Sequence, residues 1–274
     1  MGIRVTAAVL LGAFLGGCGL RVPDLQEFPA APIDGQLMVQ SIVTSVHCEI
    51  ANAVKFVINR DLELARLNHG KRYAEWLETW GVQVSLTLTI EERSSLNPNA
   101  VWLPPTPANS IFTLAGGATV SADATRTDTL NFFYTIHDLY YRKYCQTGVQ
   151  MGNSPSPLVR SDLKLREWLQ AQVGPVATQD ISPPSDPGGP LERNAISHEV
   201  KFVISTAGDL TPAWTLVQAT INQNGALLSA SRDRTHDLTI TFGPNGGQKL
   251  ALPALEAHFA KQVGLAVSTN LKGR

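Results

Sequence analysis

The sequence predicts an α+β fold, and three features of its 274 residues carry that expectation. Val39, Ile42, Val43, Val46, Ile50, Ala53, Val54 and Val57 fall on one arc when positions advance by about 100° per residue, the period of an amphipathic helix. Val82, Val84, Leu86, Leu88 and Ile90 alternate with Gln83, Ser85, Thr87, Thr89 and Glu91, the period-two pattern of a strand with one buried face. Runs rich in proline and glycine, above all Ile181 to Pro190, separate differently patterned blocks. The expected architecture is N-terminal helices packed on an antiparallel sheet, a Pro/Gly linker, and a second, smaller antiparallel sheet with a C-terminal helix.

Taken in order, the body begins near Gly35 with the helix just described, where Cys48 lies among the polar residues opposite the apolar arc. A second helical stretch is expected over Asp61 to Trp80, with Asn68-His69-Gly70 as a candidate break, because Tyr73, Trp76, Leu77 and Trp80 share a face at i, i+3, i+4 and i+7. After Gly81 the period changes to two. Leu96 to Ser110 reads as a proline-rich loop, and strand character returns near Ile111 to Leu114 and over Thr129 to Ile136. A short amphipathic helix is expected at Ser161 to Val173. Strands follow near His198 to Thr206, Trp214 to Ile221 and Leu238 to Phe242. Leu255, Phe259, Gln262, Val263 and Val267 mark a closing helix. This gives a helical and β domain at 35–150, a linker with a short helix at 151–195, and a β domain with a C-terminal helix at 196–274.

The first residues have a different character. Arg4 supplies a short positive region, Ala7 to Leu15 an apolar run of signal-peptide length, and Leu15-Gly16-Gly17-Cys18 follows. The run is too short for a spanning helix, which needs about 20 apolar residues. This segment resembles the lipobox signal of bacterial lipoproteins. The resemblance covers residues 1–18 only. It implies a signal peptide at 1–17, cut before Cys18, and a Cys18 carrying a diacylglyceryl group, with residues 18–34 as a tether rich in proline. Two or three acyl chains hold a protein stably at a membrane, so Cys18 is the expected membrane anchor. In enteric-type lipoproteins an Asp after the lipidated cysteine favours the inner membrane. Gly19 therefore implies the outer membrane, with the body facing the periplasm. Met1-Gly2-Ile3-Arg4-Val5-Thr6 also fits an N-myristoylation pattern, but that pattern leaves the apolar run and the cysteine unexplained. An ordinary secretory signal with an incidental Cys18 is the other alternative. No later segment reads as long and apolar enough to span.

Export places Cys48 and Cys145, an even pair, in an oxidising compartment, and with the polar-side position of Cys48 this predicts a disulfide between them. Hydrophobic content of 43%, charged content of 16% and a net charge of −1 exclude the electrostatic footprint of a nucleic-acid binder. No Gly-x-Ser-x-Gly elbow, His-Glu-x-x-His helix, phosphate-binding loop or Cys-x-x-Cys pair occurs, so no catalytic residue, metal ligand or cofactor is assigned. His47-Cys48-Glu49, His137-Asp138 and His198-Glu199 are neighbours whose side chains diverge on a helix or strand.

Two strand regions read as weak copies. Ser121-Ala122, Arg126-Thr127, Leu130, Phe132 and Tyr134 align without gaps with Ser229-Ala230, Arg234-Thr235, Leu238, Ile240 and Phe242. Arg126 and Arg234 are thereby candidate recognition residues at equivalent strand starts, beside Asp128, His236 and Asp237. The expected function is a lipid-anchored envelope protein with a structural or partner-binding role. The alternatives are an envelope enzyme with an unrecognised site and a subunit of a homo-oligomeric envelope assembly.

Overall fold

The computed structural model describes residues 22–23, 35–105, 112–142, 145, 159, 161–178, 180, 195–215, 219–222 and 225–272. Cys18 and the run at 181–190 lie outside them.

Helix α1 (Gly35–Leu67) is the organising core helix. Ile42, Val46, Ile50, Val54 and Ile58 from its apolar arc are fully buried. Contrary to the sequence expectation, Leu37–Leu67 is long and apolar enough to cross a membrane by length and composition. Just over half of that apolar window (56%) is buried within the protein itself, as befits a core helix.

The helix expected at Asp61 to Trp80 takes another form. α1 runs on to Leu67, the chain turns through His69 and Gly70 at positive φ, and a 3₁₀ turn follows at Glu75–Thr79. The buried Asp61 carboxylate fixes this turn by accepting from the backbone N–H of Tyr73 at 2.7 Å and of Ala74 at 3.1 Å. Asp61 also pairs with Arg72 at 2.8 Å, and Arg72 reaches Glu78. These bonds offer the backbone an alternative to the helix ladder, and Trp80 becomes the first residue of a strand.

Eight strands follow: β1 (Trp80–Leu96), β2 (Asn99–Trp102), β3 (Leu114–Gly117), β4 (Val120–Thr135), β5 (Ile196–Leu210), β6 (Trp214–Thr215), β7 (Ala219–Ile221) and β8 (Leu228–Pro244). Helices α2 (Ile136–Tyr141), α3 (Leu165–Ala177) and α4 (Leu252–Lys272) complete the elements among the described residues. The strands form two four-stranded sheets, ordered β4-β1-β8-β5 and β3-β2-β7-β6. Side-chain pairs give the register of the first. Thr87 and Thr89 meet Thr129 and Thr127, Glu92 and Ser95 meet Arg232 and Ser229, and Ser197 and Lys201 meet Thr241 and Asp237. Rising numbers meet falling ones at every interface, so each pair is antiparallel. The α+β class and the closing helix are as expected. Strands from both halves of the chain share both sheets, with β8 between β1 and β5. From His236 to Gly243, β8 is buried at every residue, as a central strand covered on two faces must be.

The chain forms two compact units, each built from separate segments. Among the described residues, the first takes in 22–23, 88–128 and 203–235, and the second 35–87, 129–202 and 236–272. In the second unit, α1 packs against α2 and α3. The Trp168 ring of α3 lies 5.8 Å from Phe242 and 4.8 Å from His198. Phe242, Leu86, Leu238, Leu165 and Leu169 are essentially inaccessible there. Gly81 fits because a Cβ at that position would run into the Phe133 ring.

The opposite face of this sheet meets α4, in an orientation the apolar pattern did not predict. Ala254 and His258 are buried, whereas Phe259, Val263 and Val267 are 47%, 63% and 52% exposed. The strands present Ser85, Asn131 and Thr241 to α4, so its polar side turns inward. Gln262 donates to Asn131 Oδ1 at 3.1 Å.

Candidate functional site

The sequence singled out Arg126 and Arg234, and the strand register sets both beside one residue of β1. β4 and β8 flank β1, and the pairs given above place Arg126 and Arg234 on either side of Ile90, on the same sheet face. The same offset places Leu130 and Leu238 either side of Leu86 in the second unit. The gapless match between the copies is thus one register repeated on the two edges of β1. Leu238 is fully buried and Leu130 half-buried, because β8 is central and β4 is an edge strand.

The two arginines differ in what they touch. Arg126 is held by Asp128, with Nε at 3.0 Å and Nη2 at 2.8 Å from Oδ2, and its Nη1 donates to the Pro23 carbonyl at 3.4 Å. Pro23 is buried. This guanidinium therefore holds the 22–23 segment within the first unit. Arg234 is only 4% exposed, and its Nε has no hydrogen-bond partner among the described residues. Two equivalent exposed recognition edges, as the sequence suggested, do not result. One arginine is engaged by the tether and the other is enclosed. Next along β8, Asp237 faces Lys201 at 3.8 Å with its Oδ1 unpartnered, and burial raises its pKa to about 6.

A buried polar cluster in the second unit was not foreseen. His258 Nε2 lies 2.7 Å from Ser85 Oγ and His258 Nδ1 2.8 Å from Thr241 Oγ1. Burial lowers the His258 pKa to about 4, so the ring is neutral. The Ser85 hydroxyl donates to Asn131 Oδ1. Its oxygen is then left to accept from His258 Nε2–H, while Nδ1 accepts from Thr241. This is the reverse of a serine donating to a histidine base, and Ser85 is 2% exposed. The cluster bolts α4 to the sheet and offers no route to a substrate.

A groove of about 540 Å³ in the same unit is lined by His47, Tyr134, Thr135, Asp138 and Arg142, among others. His47 stacks on Tyr134 at 4.6 Å, and burial, assisted by Lys55, lowers its pKa. Thr135 Oγ1 accepts from the Asp138 N–H at 3.0 Å as the cap of α2, and Asp138 pairs with Arg142 at 3.1 Å. These groups serve the helix they cap. His137 is exposed and stacks near Tyr141, while His198 lies against Leu163 O and Trp168.

Cys48 and Cys145 stand at disulfide distance, with Cα atoms 5.2 Å apart. His47 lies close enough to complete a group of three metal-ligand types. Two sulfurs joined to each other are not thiolate ligands, and the oxidised pairing removes that metal reading.

No protein-family model and no curated protein matches the chain. Among solved structures, it is similar to the open-gate Salmonella SPI-1 type III secretion injectisome secretin InvG (residues 176-end). The likeness has 8% identity and a TM-score of 0.18, over 74% of this chain and 70% of the secretin chain. At that level it carries no argument about function.

Proposed function

We propose that this chain is a lipid-anchored subunit of a homo-oligomeric assembly in the bacterial envelope, anchored through Cys18 and joined to its neighbours by strand addition. The observation that carries the reading is the pair of edges on the first sheet. β4 and β5 are 16 and 15 residues long, and neither has a neighbour on its outer side among the described residues. Long edges with unpaired backbone groups are templates for pairing with another chain. β4 and β5 run antiparallel to each other, so β5 of one copy laid against β4 of the next continues the alternation without a break. Such an interface is heterologous, and copies related by it form a ring wherever the rotation closes.

The enzyme alternative rests on the groove beside His47, whose polar groups already cap α2. A structural role needs no such site.

Cysteine crosslinking on the lipidated protein tests the proposal. Thr125→Cys on β4 is combined with single cysteines scanned from Val203 to Ala207 on β5, and mild oxidation is followed by non-reducing gels. A ladder of dimers, trimers and higher species for at least one double variant, absent from each single variant, is the expected result. Dimers formed by Thr125→Cys alone would mean an isologous contact and would overturn the head-to-tail scheme. An unbroken monomer band throughout would overturn assembly.

A further inference from the structure

We infer that the second sheet, in the first unit, is a bilayer-inserted element whose exposed apolar face meets the acyl chains of the membrane. The inference deepens the assembly reading by assigning the lipid-contacting part of the proposed subunit.

The sequence from Ser94 to Ala122 contains no Asp, Glu, Lys, Arg or His, and neither does Leu210 to Ser231. These two runs supply all four strands of the sheet β3-β2-β7-β6. Charges return at their borders: Glu91, Glu92 and Arg93 precede the first, and Arg232, Asp233 and Arg234 follow the second. Within these runs β2 and β3 are four residues each.

The sheet is also amphipathic in the inverted sense. Trp102 pairs with Leu114 and Ala100 with Ile221, on one face. Trp102, Leu114 and Ile221 are 49%, 54% and 42% exposed, and Ala100 is exposed beside them. The polar residues Thr220 and Asn222 are buried. Asn99 Nδ2 donates to Asn222 Oδ1 at 3.3 Å, and Asn222 Nδ2 donates to the Pro212 carbonyl at 2.9 Å. A water-soluble sheet would hide the aromatic and show the asparagines. Apolar outside and polar inside is the arrangement of β-structure in lipid.

Pro23 belongs to the same unit. Pro23, held by Arg126, lies within reach of Cys18, since five residues span at most about 18 Å. Open sheet edges are not tolerated in hydrocarbon, so insertion requires the edges to close between copies. A single copy supplies four strands, fewer than the smallest known barrels of about eight.

The test places an environment-sensitive dye at Ala100→Cys in the lipidated protein, with Glu199→Cys in the second unit as the aqueous control. The protein is reconstituted into phosphatidylethanolamine/phosphatidylglycerol vesicles that include phosphatidylcholine with a nitroxide at mid-chain. Insertion predicts a blue-shifted dye at Ala100, quenched several-fold by the acyl-chain nitroxide, and an unquenched dye at Glu199. A water-like, unquenched dye at Ala100 overturns the proposal, and so does a dye shielded by another protein but untouched by the nitroxide. Crosslinking from β4 to β5 on the same vesicles separates the two readings. A ladder with an unquenched dye removes insertion and keeps assembly, whereas a quenched dye without a ladder keeps insertion and removes the strand-addition scheme.

Discussion

Replacing His258 by Gln should flatten the acid limb of the protein's stability curve. In the folded chain the ring is shut between Ser85 and Thr241 with no carboxylate bonded to it among the described residues, and burial lowers its pKa from 6.5 to about 4. In the unfolded chain it takes a proton near the ordinary value. Because the folded pKa is depressed, the folded state binds fewer protons than the unfolded state across this window, and stability falls as pH falls from about 6.5 to about 4. At about 1.4 kcal/mol per pKa unit, the full effect is about 3 kcal/mol. Glutamine keeps an amide able to bridge the two hydroxyls but cannot titrate. Its packing cost is the same at every pH, so the stability difference between wild type and His258→Gln should shrink by about 3 kcal/mol between pH 7 and pH 4. Glu49 and Asp237, whose carboxyl pKa values are raised, act in the opposite direction but are common to both proteins. Urea unfolding followed by far-ultraviolet circular dichroism at half-unit pH steps measures the difference. Parallel curves would show that His258 already carries a proton in the folded state and would refute the buried-bolt account of α4.

Four further outcomes follow from the geometry. Burial raises the Glu49 pKa to about 7 although Leu163 N–H donates to it at 2.6 Å, so its contribution is present below about 4.5 and lost as pH rises through 7. Glu49→Gln should therefore stabilise the protein by about 1–2 kcal/mol at pH 8 and leave it nearly unchanged at pH 4.5, read by thermal melts at the two values. Alkylation before reduction should leave Cys48 and Cys145 unmodified in envelope-purified protein. Reduction should then cost about 4–5 kcal/mol in chemical unfolding, the chain-entropy value for a loop of this size. Arg234→Leu should raise stability by about 1–3 kcal/mol by removing an enclosed, unpartnered Nε. Arg126→Ala should shift stability by less than about 0.5 kcal/mol while freeing the 22–23 segment to proteolysis, since its pair with Asp128 is partly exposed.

Much of the fold was legible because it is written in local periodicity. The arc from Val39 to Val57 and the alternation from Val82 to Glu91 each need only one element's own burial. Arg126 and Arg234 do take equivalent positions against β1, since a gapless offset in sequence becomes a constant offset there, but both lie well inside β4 and β8 rather than at strand starts. What local patterns cannot carry is the order β4-β1-β8-β5, which depends on pairings far apart in the chain. The break at Asn68-His69-Gly70 was legible, but beyond it a 3₁₀ turn replaces the expected helix because Asp61 competes for the backbone through its side chain, a contact that apolar spacing does not encode. α4 was turned round for a related reason: the sheet face that receives it is polar. Arg234 was a candidate recognition residue on its likeness to Arg126, but it lies on a central strand and is buried. The charge-free runs at 94–122 and 210–231 are equally visible in the sequence, but they hold no apolar stretch of helix-spanning length.

The mass of the detergent-extracted, lipidated particle tests assembly most directly. Light scattering coupled to size-exclusion chromatography, with the detergent contribution subtracted, should give one integer multiple of the chain mass, two or more. Proline at Val203 or at Ile204 should reduce it to the monomer. On an edge strand these neighbours point their N–H groups alternately outward and inward, and the outward one is the donor to the next copy. A wild-type particle that already has the mass of one chain, or an oligomer untouched by either proline, would contradict strand addition through β4 and β5.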